Sequence, residues 1–443
     1  MKKKCVFFLL LLTIMPVFAQ EGFVFDKGVE KVTVPIELIN NLVFIPIKVN
    51  GVELNFLLDT GVEETILFSL EDNPEVSFYN TQKISLKGLG SEEAIEGLKT
   101  TNNVLQLDGV KANHQLIYVI LDQSFNLSSQ IGIPVNGIIG YEFFRENLIR
   151  IDYAGKKVTI YKNNEVNRKK IEKKFNKTPI IIERYKPYLM GNIDINELKL
   201  SVKLLLDTGN SDSVWLFQNL SDEIKVPPKN FDDFLGKGFS GDIEGKRARI
   251  ANFSFDKYNF RTPIVAFPDS SSIKNVRMVK NRAGSVGGEI FKRFLVIFDY
   301  KNELLFLKKN SRFDEPFTYN KSGIEIKHNG LQWVKETVKL ETVPVSGAVT
   351  FDESGRNVTN DFKYKFELKP IYEIANIRKK SAASKCGLQV GDIILTVNRA
   401  PAYRYSLEKL NELFKGEDDK MIYLEIERGG DVLKFTFQLV DDL

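Results

Sequence analysis

The sequence is short of the residues that carry much of enzyme chemistry: its 443 residues include only two cysteines, two histidines and two tryptophans. Cys5 falls in an N-terminal leader, which leaves Cys386 alone and excludes an intrachain disulfide in the processed chain. His114 and His328 are too few for a histidine-rich zinc site. Neither lies beside a nucleophile signature, so a Cys/His or Ser/His/Asp centre lacks its parts. Charge of one sign is not in excess either. With 62 basic and 58 acidic residues the net charge is +4, and nothing in that balance asks for nucleic acid or an anionic membrane as a partner. No apolar run reaches the roughly 18 residues that a membrane-crossing helix needs.

What is present starts with that leader. Lys2, Lys3 and Lys4 precede the apolar run Val6 to Met15, and Val17-Phe18-Ala19 supplies the small residues that a signal peptidase reads. We expect a signal peptide over residues 1–19, cleaved after Ala19, and export to the periplasm or the outside. Cys5 precedes the apolar run instead of following it, so it is not a lipid-attachment cysteine. The remaining length, with 43% hydrophobic residues, is enough for about three domains with cores of their own.

An internal duplication organises the first three quarters of the chain. Phe56-Leu57-Leu58-Asp59-Thr60-Gly61 is answered by Leu204-Leu205-Leu206-Asp207-Thr208-Gly209, an offset of 148 residues. At the same offset Gly88 meets Gly236, Gly90 meets Gly238, Glu96 meets Glu244 and Gly97 meets Gly245. Further on, Gly137-Ile138-Ile139-Gly140 aligns with Gly284-Ser285-Val286-Gly287, and Ile151-Asp152-Tyr153 with Phe298-Asp299-Tyr300, now at 147.

Both copies read as strand throughout. Val43, Ile45 and Ile47 alternate with Phe44, Pro46 and Lys48, and runs such as Val158-Thr159-Ile160-Tyr161 follow turn residues. Short helices fit at Tyr141 to Glu146 and Glu289 to Arg293. We therefore place a first lobe at 20–162, a basic linker at 163–177 with some helical character, a second lobe at 178–309 and a polar linker at 310–322. The stretch 163–177 also fits an activation or regulatory segment.

The repeated Asp-Thr-Gly triplets carry the chemistry. Amide hydrolysis needs a base for water and an acid for the leaving nitrogen. Two carboxylates about 3 Å apart supply both, because they share one proton and titrate apart. Glycine lets the facing loop approach closely, and threonine offers a short hydroxyl to lock one triplet to the other. A lone triplet is usually a turn. Two, each at the end of an apolar strand in a duplication, point to a dyad.

On these motifs, residues 30–309 resemble the retropepsin-like and pepsin-like aspartic peptidases. The resemblance implies a mainly β fold, a bilobal pair of acid-protease-type β-barrels with a cleft between them. It implies Asp59 and Asp207 as catalytic, supported by Thr60, Gly61, Thr208 and Gly209, with a peptide or protein substrate held under two glycine-rich flaps at Gly88, Gly90 and at Gly236, Gly238. It implies no cofactor and no metal, and a site completed within one monomer. Two departures stand out. Val62 and Asn210 follow the glycines where the family commonly has Ala, Ser or Thr, and Ser285 replaces an apolar residue in the second turn. Asn210 is placed to hydrogen-bond Asp207, a contact that would either tune that carboxyl or only satisfy a buried group.

In the last quarter, Ser381-Ala382-Ala383 and Cys386-Gly387-Leu388-Gln389-Val390-Gly391-Asp392-Ile393-Ile394 resemble the centre of bacterial PDZ domains, a partly open β-barrel with two helices, placed here at 323–443. Gly387 would end a helix, Gly391-Asp392 turn into a strand, and Gly429-Gly430-Asp431 make a hairpin. Such domains take a chain terminus as an added strand. A C-terminal peptide is thus a possible ligand, with the carboxylate-binding loop expected near Phe366 to Pro370 ahead of a strand Ile371 to Ile377. Packing on the lobes as a scaffold is the other role open to it. The expected activity is exported aspartic-type endopeptidase; the alternative is a non-catalytic peptide- or protein-binding module of the same shape.

Overall fold

The structure is a computed structural model that describes residues 22–68, 70, 75–86, 95–122, 126–218, 223–238, 241–273, 278–339 and 362–443. The expected signal peptide and the glycines Gly88 and Gly90 lie outside the described residues. Among the described residues the architecture is mainly β, in several sheets, as the alternating apolar pattern requires.

The duplication is visible as two sheets of one topology. In the first unit, Val52–Leu58 lies between Leu42–Val49 and the short strand Gly137–Ile139, which Thr65–Leu67 and then Val110–Ile120 follow outward. In the second, Leu198–Leu206 lies between Lys186–Ile195 and Arg282–Val286, followed by Val214–Leu216 and Ile264–Pro268. They differ in the long hairpin that follows the first strands. The continuous strand Ile95–Leu107, irregular at Thr100 to Leu105, does in the first unit what Gly241–Arg249 and Asn252–Phe255 do separately in the second. Asn102, in the left-handed region at φ 63°, marks the break.

A third sheet joins the units. It runs Asn176–Pro179, Leu304–Lys309, Phe294–Asp299, Leu148–Asp152, Lys157–Tyr161, Lys31–Pro35, three strands from each side. At its centre Arg150 pairs with Ile297, its own counterpart in the duplication, flanked by Ile149 with Phe298 and Ile151 with Val296. An approximate two-fold axis therefore passes between Arg150 and Ile297. A single apolar core runs through both units, with Ile45, Phe56, Ile139, Leu204, Val286 and Phe298 fully buried.

Both expected linkers are more structured than loose spacers. Residues Glu165–Glu172 form a helix capped by Asn164, whose side chain accepts from Asn167 N at 2.9 Å, and Asn176–Pro179 is an edge strand of the joining sheet. In 310–322, Phe313, Phe317 and Tyr319 are buried against the shared core. Arg293, almost wholly buried, donates to the carbonyls of Phe313 at 3.0 Å and Glu315 at 2.5 Å. Aromatic side chains at 313, 317 and 319 are the physical reason this strap is pinned rather than free.

The last unit has its own core of Ile324, Ile326, Tyr372, Ile374, Leu410, Phe414 and Ile426 under a sheet ordered Ile324–Lys339, Phe362–Ile377, Ile393–Val397, Met421–Arg428, Asp431–Gln438. Helices Ala382–Cys386 and Leu407–Phe414 start at Ser381 and Ser406, whose hydroxyls accept from Ser384 N and Lys409 N. Gly387 ends the first helix at φ 93°, and Gly429-Gly430, both left-handed, turn the final hairpin. The loop expected at Phe366 to Pro370 is corrected: these residues sit inside one strand, Phe362–Ile377, paired with Leu331 to Lys335. Apolar and charged residues alternate there, Phe366 and Leu368 against Lys365, Glu367 and Lys369, which is a strand pattern.

Candidate active site

Each Asp-Thr-Gly triplet is positioned in the same way. The apolar strand before it pairs in parallel with a short glycine-containing strand, Leu58 with Ile139 and Leu206 with Val286. The chain then leaves the sheet, held by Asp59 N donating to Ile139 O and Asp207 N to Val286 O, both at 2.9 Å. The two exits face each other across the two-fold axis. Thr60 Oγ1 donates to Leu206 O at 2.6 Å and Thr208 Oγ1 to Leu58 O at 2.8 Å. Each threonine amide donates in turn to the other hydroxyl at 3.0 Å. Four hydrogen bonds between buried groups thus lock the triplets together.

The carboxyls sit over the opposing glycines. A Cβ on Gly209 would overlap the Asp59 carboxyl, and one on Gly61 would lie 3.1 Å from Asp207 Oδ1. Gly61 N donates to Asp59 Oδ1 at 2.7 Å, and a Cβ on Gly61 would lie 3.0 Å from that oxygen as well as near Asp207 Oδ1, so the two carboxyls face one another across this glycine. Burial, then the neighbouring charge of Asp207, pushes Asp59 up to about 7. Burial also raises Asp207, but Arg282 and then Lys186 pull it back. Burial raises both carboxyls, so the proton belongs to the pair rather than to either side chain.

Two hairpin tips reach from each unit to the other. In the first unit, Asn40-Asn41, both at positive φ, carry Asn41 to the second unit, where its Nδ2 donates to Ser211 O and Glu289 Oε2 at 3.0 Å. In the second, Arg184-Tyr185 make the same left-handed turn, and Tyr185 packs on Tyr141 of the first unit at 4.8 Å between ring centres. Gly288, where a Cβ would overlap Asn41 O, is the counterpart of Tyr141 in the duplication.

Asn210 meets Asp207 through its backbone amide, which donates to Asp207 O at 3.3 Å, while its side chain is engaged elsewhere. Its Nδ2 donates to Ser285 Oγ at 3.1 Å and its Oδ1 accepts from Asp212 N at 2.9 Å. The counterparts of Asn210 and Ser285 in the first unit are Val62 and Ile138, which pack in one apolar cluster. The two sequence departures are therefore one: a hydrogen-bonded polar pair stands where the other unit has an apolar pair.

Of the flap residues, Gly236 sits at a bulge in Asn230–Gly238 at φ 146°, and Gly238 pairs with Gly241 across the hairpin. His114 and His328 are elsewhere, His114 beside Asn102 on a surface hairpin and His328 edge-on to Tyr372. Among the described residues no group of three His, Cys, Asp or Glu side chains is placed to hold a metal ion, and no helix is long and apolar enough to cross a membrane. Sequence reasoning missed Arg247. It lies on the strand Gly241–Arg249 and binds Asp233 and Asp212 at 2.6 Å each. No local motif announces it, since its partners are 14 and 35 residues away.

Residues 373–428 match the PDZ domain family. The C-terminal unit contains a PDZ domain. A PDZ domain is a protein-interaction module, and here it already interacts within the chain. The helix Ser128–Ile131 of the first unit packs against the edge strand Ile324–Lys339, and a Cβ on Gly132 would lie 3.2 Å from Leu407 Cβ. At the other end of the PDZ helix Leu407–Phe414, Lys321 N donates to Phe414 O at 2.9 Å. No curated protein matches the chain.

Proposed function

We propose that the chain is an exported aspartic-type endopeptidase whose catalytic pair is Asp59 and Asp207, with the PDZ domain serving substrate or partner docking. The observation that carries this reading is the adjacent pair of buried carboxyls on the two-fold axis, each over the other's glycine. In the proposed reaction, Asp207 takes a proton from water as the water oxygen attacks the scissile carbonyl carbon. Asp59 gives its proton to the carbonyl oxygen. Collapse of the tetrahedral diol breaks the C–N bond, Asp207 protonates the departing nitrogen, and Asp59 recovers a proton from the diol. The reaction consumes one water and returns both carboxyls to their starting states.

The crossing tips and flaps would hold an extended peptide over the pair, and Thr60 and Thr208 would keep the carboxyls from drifting apart. Digestion of a complex peptide library, read by mass spectrometry, tests the proposal. Cleavage that a statine-type inhibitor blocks and that both Asp59→Asn and Asp207→Asn abolish supports it. If the wild type and both variants leave the library equally intact, the chain is instead a binding module of the same shape.

A further inference from the structure

The PDZ domain grips the second flap through a buried arginine. Arg378, with only 3% of its side chain exposed, follows the strand Phe362–Ile377. Its guanidinium lies 4.0 Å over the ring of Phe231 and 4.0 Å from Asp233 Oδ1, both on the flap strand Asn230–Gly238. It also donates to Asn320 O at 2.9 Å and lies 5.5 Å from the Tyr319 ring centre and 3.5 Å from Asp442 Oδ2. Phe231 pairs across the flap hairpin with Arg247. Arg247 in turn binds Asp233 and Asp212, and Asp212 is held by Trp215 Nε1 at 2.7 Å in the loop that begins at Asp207.

Arg378, Asp233, Arg247 and Asp212 thus form a continuous line from the PDZ domain to the proposed catalytic loop. Positive and negative groups alternate along it, with Asp442 beside Arg378 and Glu325 within the field of Asp233, Arg247 and Arg378, so each buried charge has an opposite neighbour. A side chain shared by two units and closed in on every side transmits a displacement rather than absorbing it.

We propose that Arg378 is a positioning residue for the second flap, so that the PDZ domain sets the placement of the hairpin Asn230–Arg249 over the cleft. The structural half of this stands by itself; the effect on catalysis rests on the peptidase reading. The line also gives a ligand of the PDZ domain a route to the cleft, since anything that shifts Arg378 shifts Asp233 and Arg247 with it.

The test uses the full chain carrying Arg378→Gln, Arg378→Lys or Asp233→Asn, with two readouts. Hydrogen exchange of the flap amides needs no activity. Arg378→Gln is expected to speed exchange in 230–238 and 241–249 by about tenfold, while the joining sheet is unchanged. Arg378→Lys, which keeps the charge, should fall between the two. In peptide hydrolysis, KM should rise about threefold with kcat nearly constant, because a loosened flap weakens binding more than chemistry. The double variant Arg378→Gln/Asp233→Asn should be no worse than Asp233→Asn alone. If Arg378→Gln does not accumulate folded, Phe231→Leu, which keeps every charge and loses the stacked ring, carries the same exchange prediction. Unchanged flap exchange in folded Arg378→Gln overturns the proposal. Faster flap exchange in a protein that cleaves nothing, wild type included, keeps the coupling and sinks the peptidase reading instead.

Discussion

Thr60 and Thr208 exchange hydrogen bonds across the approximate two-fold axis, each amide donating to the other's hydroxyl at 3.0 Å. Each hydroxyl also donates to the carbonyl of the opposing strand's last residue, Leu206 or Leu58. Both threonines are buried, so a lost hydroxyl leaves an amide and a carbonyl unmet with no water to replace it. We expect Thr60→Val or Thr208→Val to cost about 1–3 kcal/mol each in urea unfolding. The Ser variants, which keep the hydroxyl, should cost less than about 1 kcal/mol. Equal losses for Val and Ser would remove the hydroxyl exchange as the lock.

The pH dependence of hydrolysis should follow the proton that Asp59 and Asp207 share. Asp59 is pushed up to about 7 by burial and by Asp207, so the singly protonated pair persists through mildly acidic pH and is lost as pH rises through about 7. Peptide hydrolysis is therefore expected to fall on the alkaline side near neutrality. Lys186 favours the charged form of both carboxyls. Lys186→Gln should move the alkaline limb to higher pH, by a few tenths of a unit, in profiles of kcat/KM. A limb that stays in place or moves down would show that Lys186 does not act on the pair.

Much of this arrangement is legible in the sequence because a duplication prints each functional position twice. The 148-residue offset pairs Asp59 with Asp207, and the joining sheet confirms the duplication by pairing Arg150 with Ile297 directly. What the sequence conceals is long-range. The Asn210–Ser285 contact joins residues 75 apart, so two substitutions that look unrelated in the chain are one packing solution in space. The Arg247 and Arg378 contacts are hidden for the same reason. At 366–370, absence of a glycine-rich signature was the informative feature, since alternating Phe, Leu, Lys and Glu continue the strand.

Stability should respond to Glu325, at the junction of the PDZ domain with the hairpin Asn230–Arg249. Burial, then Asp233, pushes its carboxyl up to about 7, against the pull of Arg247, Lys415 and Arg378. An acid whose native pKa is raised binds more protons folded than unfolded between about 4.5 and 7. Stability then falls as pH rises through that window and levels off above it. Glu325 keeps some solvent contact, so the change is expected to be on the order of 1 kcal/mol. Thermal unfolding of Glu325→Gln should lack this fall and exceed the wild type at pH 8. A Gln variant with the same pH slope as the wild type would place the titration elsewhere.

The exposed arm of the PDZ unit makes a separate prediction. Beyond residue 330, the ribbon of Ile324–Lys339 and Phe362–Ile377 carries Leu331, Trp333, Phe366 and Leu368 on one face, with Trp333 69% exposed. A side chain that buries so little contributes little to folding. Trp333→Ser should change unfolding free energy by less than about 0.5 kcal/mol while reducing self-association at high concentration. A loss of several kcal/mol would mean that the face is covered in solution.

The polar pair beside Asp207 can be tested against its apolar counterpart in the other unit. Asn210→Val leaves the Ser285 hydroxyl and the Asp212 amide without their partner, and should cost about 1–3 kcal/mol. Ser285→Ile alone forces an alkyl group against the Asn210 amide and should cost a similar amount. The double variant reproduces the Val62–Ile138 contact of the first unit and loses only the Asp212 amide bond, so its cost should fall short of the sum by about 1 kcal/mol. Urea unfolding of the four proteins measures that coupling directly. Strict additivity would mean that the two residues serve their surroundings separately, and that the matched departure from the first unit is coincidence.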